Sequence, residues 1–159
     1  MGVAGAGKTL VGSALAKALG WSFYDADDFH SPEHVAKMHR GVGLTDADRA
    51  PWLATLRDLI DHVIRDGRSA VMACSALKES YRRTLTPDDV PAGTVRFVYL
   101  DVPADVLRRR LEQRAHHYAP PELLDSQLAT LEPPRDAIRV DGTLPPEEIV
   151  RAARASLGV

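Results

Sequence analysis

Apolar runs of strand length alternate along the chain with stretches whose apolar residues recur every three or four positions. The runs Trp21 to Tyr24, Ala70 to Cys74, Val95 to Leu100 and Ile138 to Val140 predict strands. The second and third are almost continuously apolar, as strands covered on both faces are. Val11, Leu15, Ala18 and Leu19 share one helical stripe, and Trp52, Leu56, Leu59, Ile60, Val63 and Ile64 form a longer one. Ser31-Pro32 reads as an N-cap followed by proline at the first helical position. Leu107 and Leu111 mark a helix opened by Pro103, and Ile149 and Val150 one opened by Pro145-Pro146. Strands separated by helices pair in parallel through crossovers. The expected fold class is α/β, a three-layer sandwich around a parallel sheet.

Composition narrows the function classes. A chain of 159 residues is one domain, expected to span 1–159. With 20 Lys+Arg against 22 Asp+Glu there is no overall basic field to recruit nucleic acid, so any anion must be held by local cations and backbone amides. No apolar run approaches the roughly 20 residues that span a bilayer. Met1 to Gly5 carries neither a charged nor an apolar leader segment, so no secretion signal is read there. The lone Cys74 excludes an internal disulfide and suits a reducing compartment. A cytoplasmic location is expected.

The chemistry begins at Gly2-Val3-Ala4-Gly5-Ala6-Gly7-Lys8-Thr9, a full match to G-x-x-x-x-G-K-[ST]. Glycines let successive amides turn inward around phosphate, and the helix that follows adds its positive end. Gly2, Gly5, Ala6, Gly7, Lys8, Thr9 and Leu10 are the candidate ATP contacts. Lys8 is expected on the β and γ phosphates, and the Thr9 hydroxyl on Mg²⁺. Such a loop usually leaves a buried central strand, whereas only Met1 stands before this one. The first strand is therefore expected to be missing, with the natural chain starting upstream.

Asp25-Ala26-Asp27-Asp28-Phe29-His30 follows the first predicted strand, at the end where open parallel sheets bind ligands. Its carboxylates suit orienting a hydroxyl, accepting its proton or holding Mg²⁺; alternatively Asp28 or Ser31 merely caps a helix. Further on, Thr45 or Asp46 caps the long helix, and Arg49 either clamps an anion or pairs with Asp46. Lys78 and Arg82, spaced i, i+4, form a candidate cationic face. Arg108-Arg109-Arg110 and Arg114 make either a solvated face or a lid whose guanidiniums close over phosphate. His30, His34 and His39 share no helical face and have no cysteine pair, so no zinc site is expected.

Together these segments resemble the gluconokinase family of small phosphate-loop kinases, from Gly2 to about Pro134. The resemblance runs through the phosphate loop, Asp25 to His30, Lys37-Met38, and Leu44-Thr45-Asp46-x-Asp48-Arg49-x-Pro51-Trp52-Leu53. It continues through Cys74-Ser75-Ala76-Leu77-Lys78, Tyr81-Arg82, Arg110, Arg114, His117, Leu123-Leu124-x-Ser126-Gln127 and Leu131-Glu132-x-Pro134. His34 stands where the family usually has Asn, Gly43 where it has Pro, and Tyr118-Ala119 where it has Phe-Met. The resemblance implies a nucleoside-monophosphate-kinase-like or shikimate-kinase-like fold, with a substrate-binding helical segment near 30–53 and a lid near 110–127. It implies phosphorylation of D-gluconate by ATP at the 6-hydroxyl, and a homodimer. Lys8, Asp27 and Arg114 are the expected catalytic residues, and Arg110 and Arg114 close on ATP. Asp27, His30, Arg49, Lys78, Arg82 and His117 are the expected substrate contacts. A shikimate kinase and an ATP-binding module without turnover are the alternatives; the glycine-rich substrate loop of the former is absent after Ala70 to Cys74.

Overall fold

The computed structural model describes residues 1–113 and 121–159. In chain order the elements are α1 (Lys8–Leu19), β1 (Ser22–Asp25), a 3-10 turn (Ala26–Phe29), α2 (Pro32–His39) and α3 (Asp46–Arg65). They continue with β2 (Ala70–Ala73), α4 (Glu79–Thr84), β3 (Val98–Asp101), α5 (Ala104–Gln113), α6 (Pro121–Thr130), β4 (Ile138–Asp141) and α7 (Pro146–Leu157). All four predicted strands form: the first is shifted by one residue, the second loses Cys74, the third starts later and ends one residue later, and the fourth runs on to Asp141. β1 pairs in parallel with β2 from Ser22–Ala70 to Asp25–Ala73, which leaves Cys74 just outside. β3 pairs in parallel with β4 from Val98–Ile138 to Asp101–Asp141; the Phe97 carbonyl still accepts from Ile138 N–H at 2.9 Å, but Val95 to Phe97 lie before the paired register and stay out of the strand.

The two pairs meet through Met1 and Gly2. The Met1 amino group donates to the Val98 carbonyl, Leu100 N–H donates to the Met1 carbonyl at 3.0 Å, and Gly2 N–H donates to the Ser75 carbonyl at 3.3 Å. Met1 thus takes the position of a central strand between β2 and β3 and hands the chain directly to the phosphate loop. Beside it lies an apolar cavity of about 560 Å³ whose lining includes Val11, Leu15, Val71, Val98 and Leu100. Burial, with Lys8 adding to it, pushes the Met1 amino group down from 8.0 to about 5. Cys74 lies against the same cavity, and burial pushes its thiol up to about 11.

Adjacent residues of a strand face opposite sides. Val71 accordingly packs into one core with Val11, Leu15, Ile149 and Val150, while Met72 packs into another with Trp52, Leu53, Leu56, Tyr81 and Leu85. The sheet therefore lies between two helical layers, as expected. Ser31 Oγ accepts from His34 N–H at 3.2 Å, and Thr45 and Asp48 form a reciprocal capping box, so both predicted helix starts hold. Among the described residues no helix is long and apolar enough to cross a membrane.

Gly142, after β4, leaves no room for a side chain: a Cβ there would come within 2.4 Å of Val102 Cγ2 and 3.3 Å of the Asp101 carbonyl. Gly142→Ala is expected to cost about 1–3 kcal/mol through overpacking, read as a lower urea midpoint at unchanged m-value. A midpoint equal to that of the parent protein would show that the loop relaxes freely.

Candidate active site

The phosphate loop takes its shape from glycines in the left-handed region, Gly5 at φ 81° and Gly7 at φ 93°. Gly7 is the N-cap of α1, so the helix opens on the loop itself. The Lys8 ammonium folds across the loop and donates to the Val3 carbonyl at 3.1 Å. Ala4 N–H donates to Gln127 Oε1 of α6 at 2.7 Å. Arg110 of α5 donates to the Gly142 carbonyl at 2.9 Å and to the Gly5 carbonyl at 3.5 Å. Arg110 is thus brought to the loop, tied to two carbonyls. Gln127 belongs to the Leu123-Leu124-x-Ser126-Gln127 run that resembles the family, and nothing in its local spacing points to the loop. Arg114 and His117 lie outside the described residues.

At the end of β1 the acidic run divides its work. Thr9 Oγ1 donates to Asp25 Oδ2 at 2.6 Å, and Asp25 Oδ1 accepts from Asp27 N–H at 3.1 Å. The sequence does not single Asp25 out of the acidic run, although it closes the strand beside the loop. A threonine hydroxyl and a carboxylate are hard oxygen donors, the set that suits Mg²⁺ with water and phosphate completing it. The Asp27 side chain keeps 73% of its exposure. Desolvation raises its pKa above the usual carboxylate range, Lys8 opposes the rise, and Asp25 and Asp28 add to it.

Trp52 organises the wall opposite. Its Nε1 donates to the Ala26 carbonyl at 2.8 Å, and its ring stacks on His30 with centroids 4.4 Å apart and planes 12° from parallel. His30 is thereby held with Nε2 at 3.9 Å from Asp27 Oδ1. His34 meets His30 edge-on at 6.2 Å, with Nε2 at 4.0 Å from Asp48 Oδ1. Asp48 also accepts from Lys37 at 2.6 Å. The Nδ1 atoms of His30 and His34 are buried and find no partner among the described residues. Burial first, then the charges of His34 and Arg49, push His30 down to about 4, so it is neutral at physiological pH.

That shift has a sign. The folded pKa of His30 lies below the ordinary 6.5, so between those values the unfolded chain binds the extra proton. Stability is therefore expected to fall as pH drops from about 6.5 to about 4, by up to about 3 kcal/mol from this group. Comparing urea unfolding of the parent and His30→Gln across that range isolates the histidine; parallel curves would remove it as the cause.

Beyond Trp52, Lys78 Nζ donates to both oxygens of Asp46, at 2.9 and 2.7 Å, and the Tyr81 hydroxyl donates to Asp46 as well. Arg49 donates to the Leu44 carbonyl and, at 3.4 Å, to the Tyr81 hydroxyl. Of the two readings for Arg49, pairing with Asp46 is not the one seen: Lys78 takes that carboxylate. The expected joint face of Lys78 and Arg82 is corrected too. Arg82 is buried, and its guanidinium donates to the Ala76 and Leu77 carbonyls at 2.9 and 3.2 Å. Those carbonyls need donors where the chain turns out of β2, with Ala76 at φ 46°, and Arg82 supplies them one helical turn on.

A glycine loop opening a helix at the centre of parallel strands, faced by carboxylates at the strand ends, defines a phosphate-loop kinase of the α/β class. A family model described as an AAA domain matches residues 1–134. The chain is 48% identical over 162 residues to a gluconokinase of Gluconobacter oxydans, covering 98% of this chain and 89% of that protein. The crystal structure of a gluconokinase from Sinorhizobium meliloti superposes with a TM-score of 0.86 at 42% identity, covering 99% of this chain and 89% of that one. Shikimate kinase from Aquifex aeolicus superposes with a TM-score of 0.69 at 21% identity over 99% of this chain and 94% of that one, a likeness of fold alone. The chain belongs to the gluconokinase family.

Proposed function

We propose that the chain transfers the γ-phosphoryl group of ATP to the 6-hydroxyl of D-gluconate, giving 6-phospho-D-gluconate and ADP. The observation that carries this reading is the convergence of the phosphate loop, the Thr9–Asp25 pair and Asp27 on one crevice, in a chain whose gluconokinase relatives match it nearly end to end. Asp27 orients the 6-hydroxyl and takes its proton. The freed oxygen attacks the γ-phosphorus, the bond to the β,γ-bridging oxygen breaks, and ADP leaves. Lys8 leaves the Val3 carbonyl for the β and γ phosphates, and the amides of Gly5, Gly7 and Thr9 with the start of α1 at Leu10 cradle them; the Gly2 and Ala6 N–H groups, expected among the contacts, are instead spent on the Ser75 and Val3 carbonyls. Thr9 and Asp25 would hold Mg²⁺, which neutralises phosphate charge when bound.

Arg110 exchanges its carbonyl partners for phosphate, with Arg114 and His117 completing a lid over 110–127. His30, Arg49 and Lys78 hold the acceptor within the 30–53 segment and the turn after β2, while Arg82 braces that turn from behind. One domain over 1–159, a cytoplasmic location and a homodimer complete the proposal.

Coupled ADP release with Mg-ATP tests it, comparing D-gluconate, shikimate and no acceptor. Gluconate-dependent release is expected. Release with shikimate alone overturns the substrate, and ATP binding without any acceptor-dependent release marks a non-catalytic module.

A further inference from the structure

Four side chains at the far side of the crevice carry an unbalanced charge. Lys78 Nζ and the Arg49 guanidinium each lie 5.6 Å from the centre of the Tyr81 ring, a cation–π distance. Between them they face one carboxylate, Asp46, which accepts from Lys78 and the Tyr81 hydroxyl. Arg49 donates to neutral oxygens, and among the described residues no carboxylate lies within ion-pair distance of it. The donors are the anchored part. Tyr81 is 5% exposed in the second core, and Arg49 is fixed by the Leu44 carbonyl. The acceptor is the open part, since the Asp46 side chain keeps 63% of its exposure. Arg49 also lies close enough to His30 to depress its pKa, and His30 stands next to Asp27. A linear hydroxy acid with its hydroxyl at Asp27 carries its carboxylate at the other end, the group that such a cationic cluster suits.

We propose that Asp46 is a placeholder: it fills a carboxylate subsite built by Arg49, Lys78 and Tyr81, and yields Lys78 to the acceptor's carboxylate when that binds, which presupposes the gluconate reading above. Exchanging one carboxylate for another leaves Lys78 paired throughout, and the incoming acid also meets Arg49. An uncharged polyol of the same length has nothing to offer Lys78, so Asp46 stays in place and its removal gains the polyol nothing. The internal carboxylate thus lowers the affinity for the acid by competition, while Arg49 and Lys78 supply the preference for an acid. Asp46 touches no reacting atom; it is a positioning residue.

The test is calorimetric titration of the full chain with D-gluconate and with D-glucitol, backed by steady-state kinetics. Asp46→Asn is expected to bind gluconate about two- to five-fold more tightly, the scale of an exposed ion pair. Its KM for gluconate should fall by the same factor at unchanged kcat, with glucitol binding unmoved, while Asp46→Glu restores the parent values. Gluconate binding that is unchanged or weaker in Asp46→Asn overturns the placeholder. The result for Lys78→Met locates the failure: weakened gluconate binding there leaves the subsite standing, whereas parental affinity overturns the subsite and the placeholder together. Absence of gluconate binding by the parent chain overturns the reading beneath both.

Discussion

Asp27→Asn lowers kcat by about 10²- to 10⁴-fold, the usual contribution of a positioned general base, while gluconate affinity and melting temperature stay near those of the parent. The asparagine keeps the size and one acceptor oxygen of the aspartate, so the hydroxyl is still held; it cannot take the proton. The raised pKa of Asp27 adds a pH signature. In the parent, activity falls on the acid side as Asp27 protonates, and because desolvation lifts its pKa, that fall lies above the ordinary carboxylate range. The variant's residual activity loses that limb. A turnover equal to the parent's across the pH profile would remove Asp27 from the mechanism and return attention to Asp25 and Asp28 on either side.

Trp52→Ala costs about 3–5 kcal/mol of stability, the range for deleting a buried aromatic, seen as a large drop in the urea midpoint. The ring is 5% exposed, anchors the second core, closes the 3-10 turn through Ala26 and carries His30 on its face. Its loss therefore also loosens the neighbour of Asp27, and KM for gluconate rises along with the instability. Trp52→Phe separates the two roles. It keeps an aromatic face for His30 but removes the donor to the Ala26 carbonyl, costing about 1–3 kcal/mol for the carbonyl left behind. An alanine variant within about 1 kcal/mol of the parent would mean that the core closes over the gap.

The layers, the parallel pairing and the phosphate loop were legible because they rest on period and on glycine spacing, both local properties. Thr45 and Ser31 were readable as caps for the same reason. Asp25 was not singled out from Asp27 because both sit in one acidic run; only the pairing of β1 beside the loop separates them, by bringing Asp25 to Thr9. The inward turn of Arg82 was hidden because an i, i+4 pair on a short helix says that two side chains share a side, not whether that side meets water. Its carbonyl partners belong to a left-handed turn at Ala76 that an alanine does not advertise. The long reach of Gln127 to Ala4 depends on how α6 docks, a tertiary fact without local signature.

The buried Cys74 makes the chain its own reporter. With the thiol held at about 11, only about one molecule in ten thousand carries a reactive thiolate at pH 7. A thiol reagent therefore modifies this single cysteine chiefly when the region where Met1 joins the two strand pairs opens to solvent. The labelling rate, followed with rising urea, measures the free energy of that opening apart from global unfolding. Mixed with nucleotide or gluconate, the same assay reports whether filling the crevice tightens the middle of the sheet.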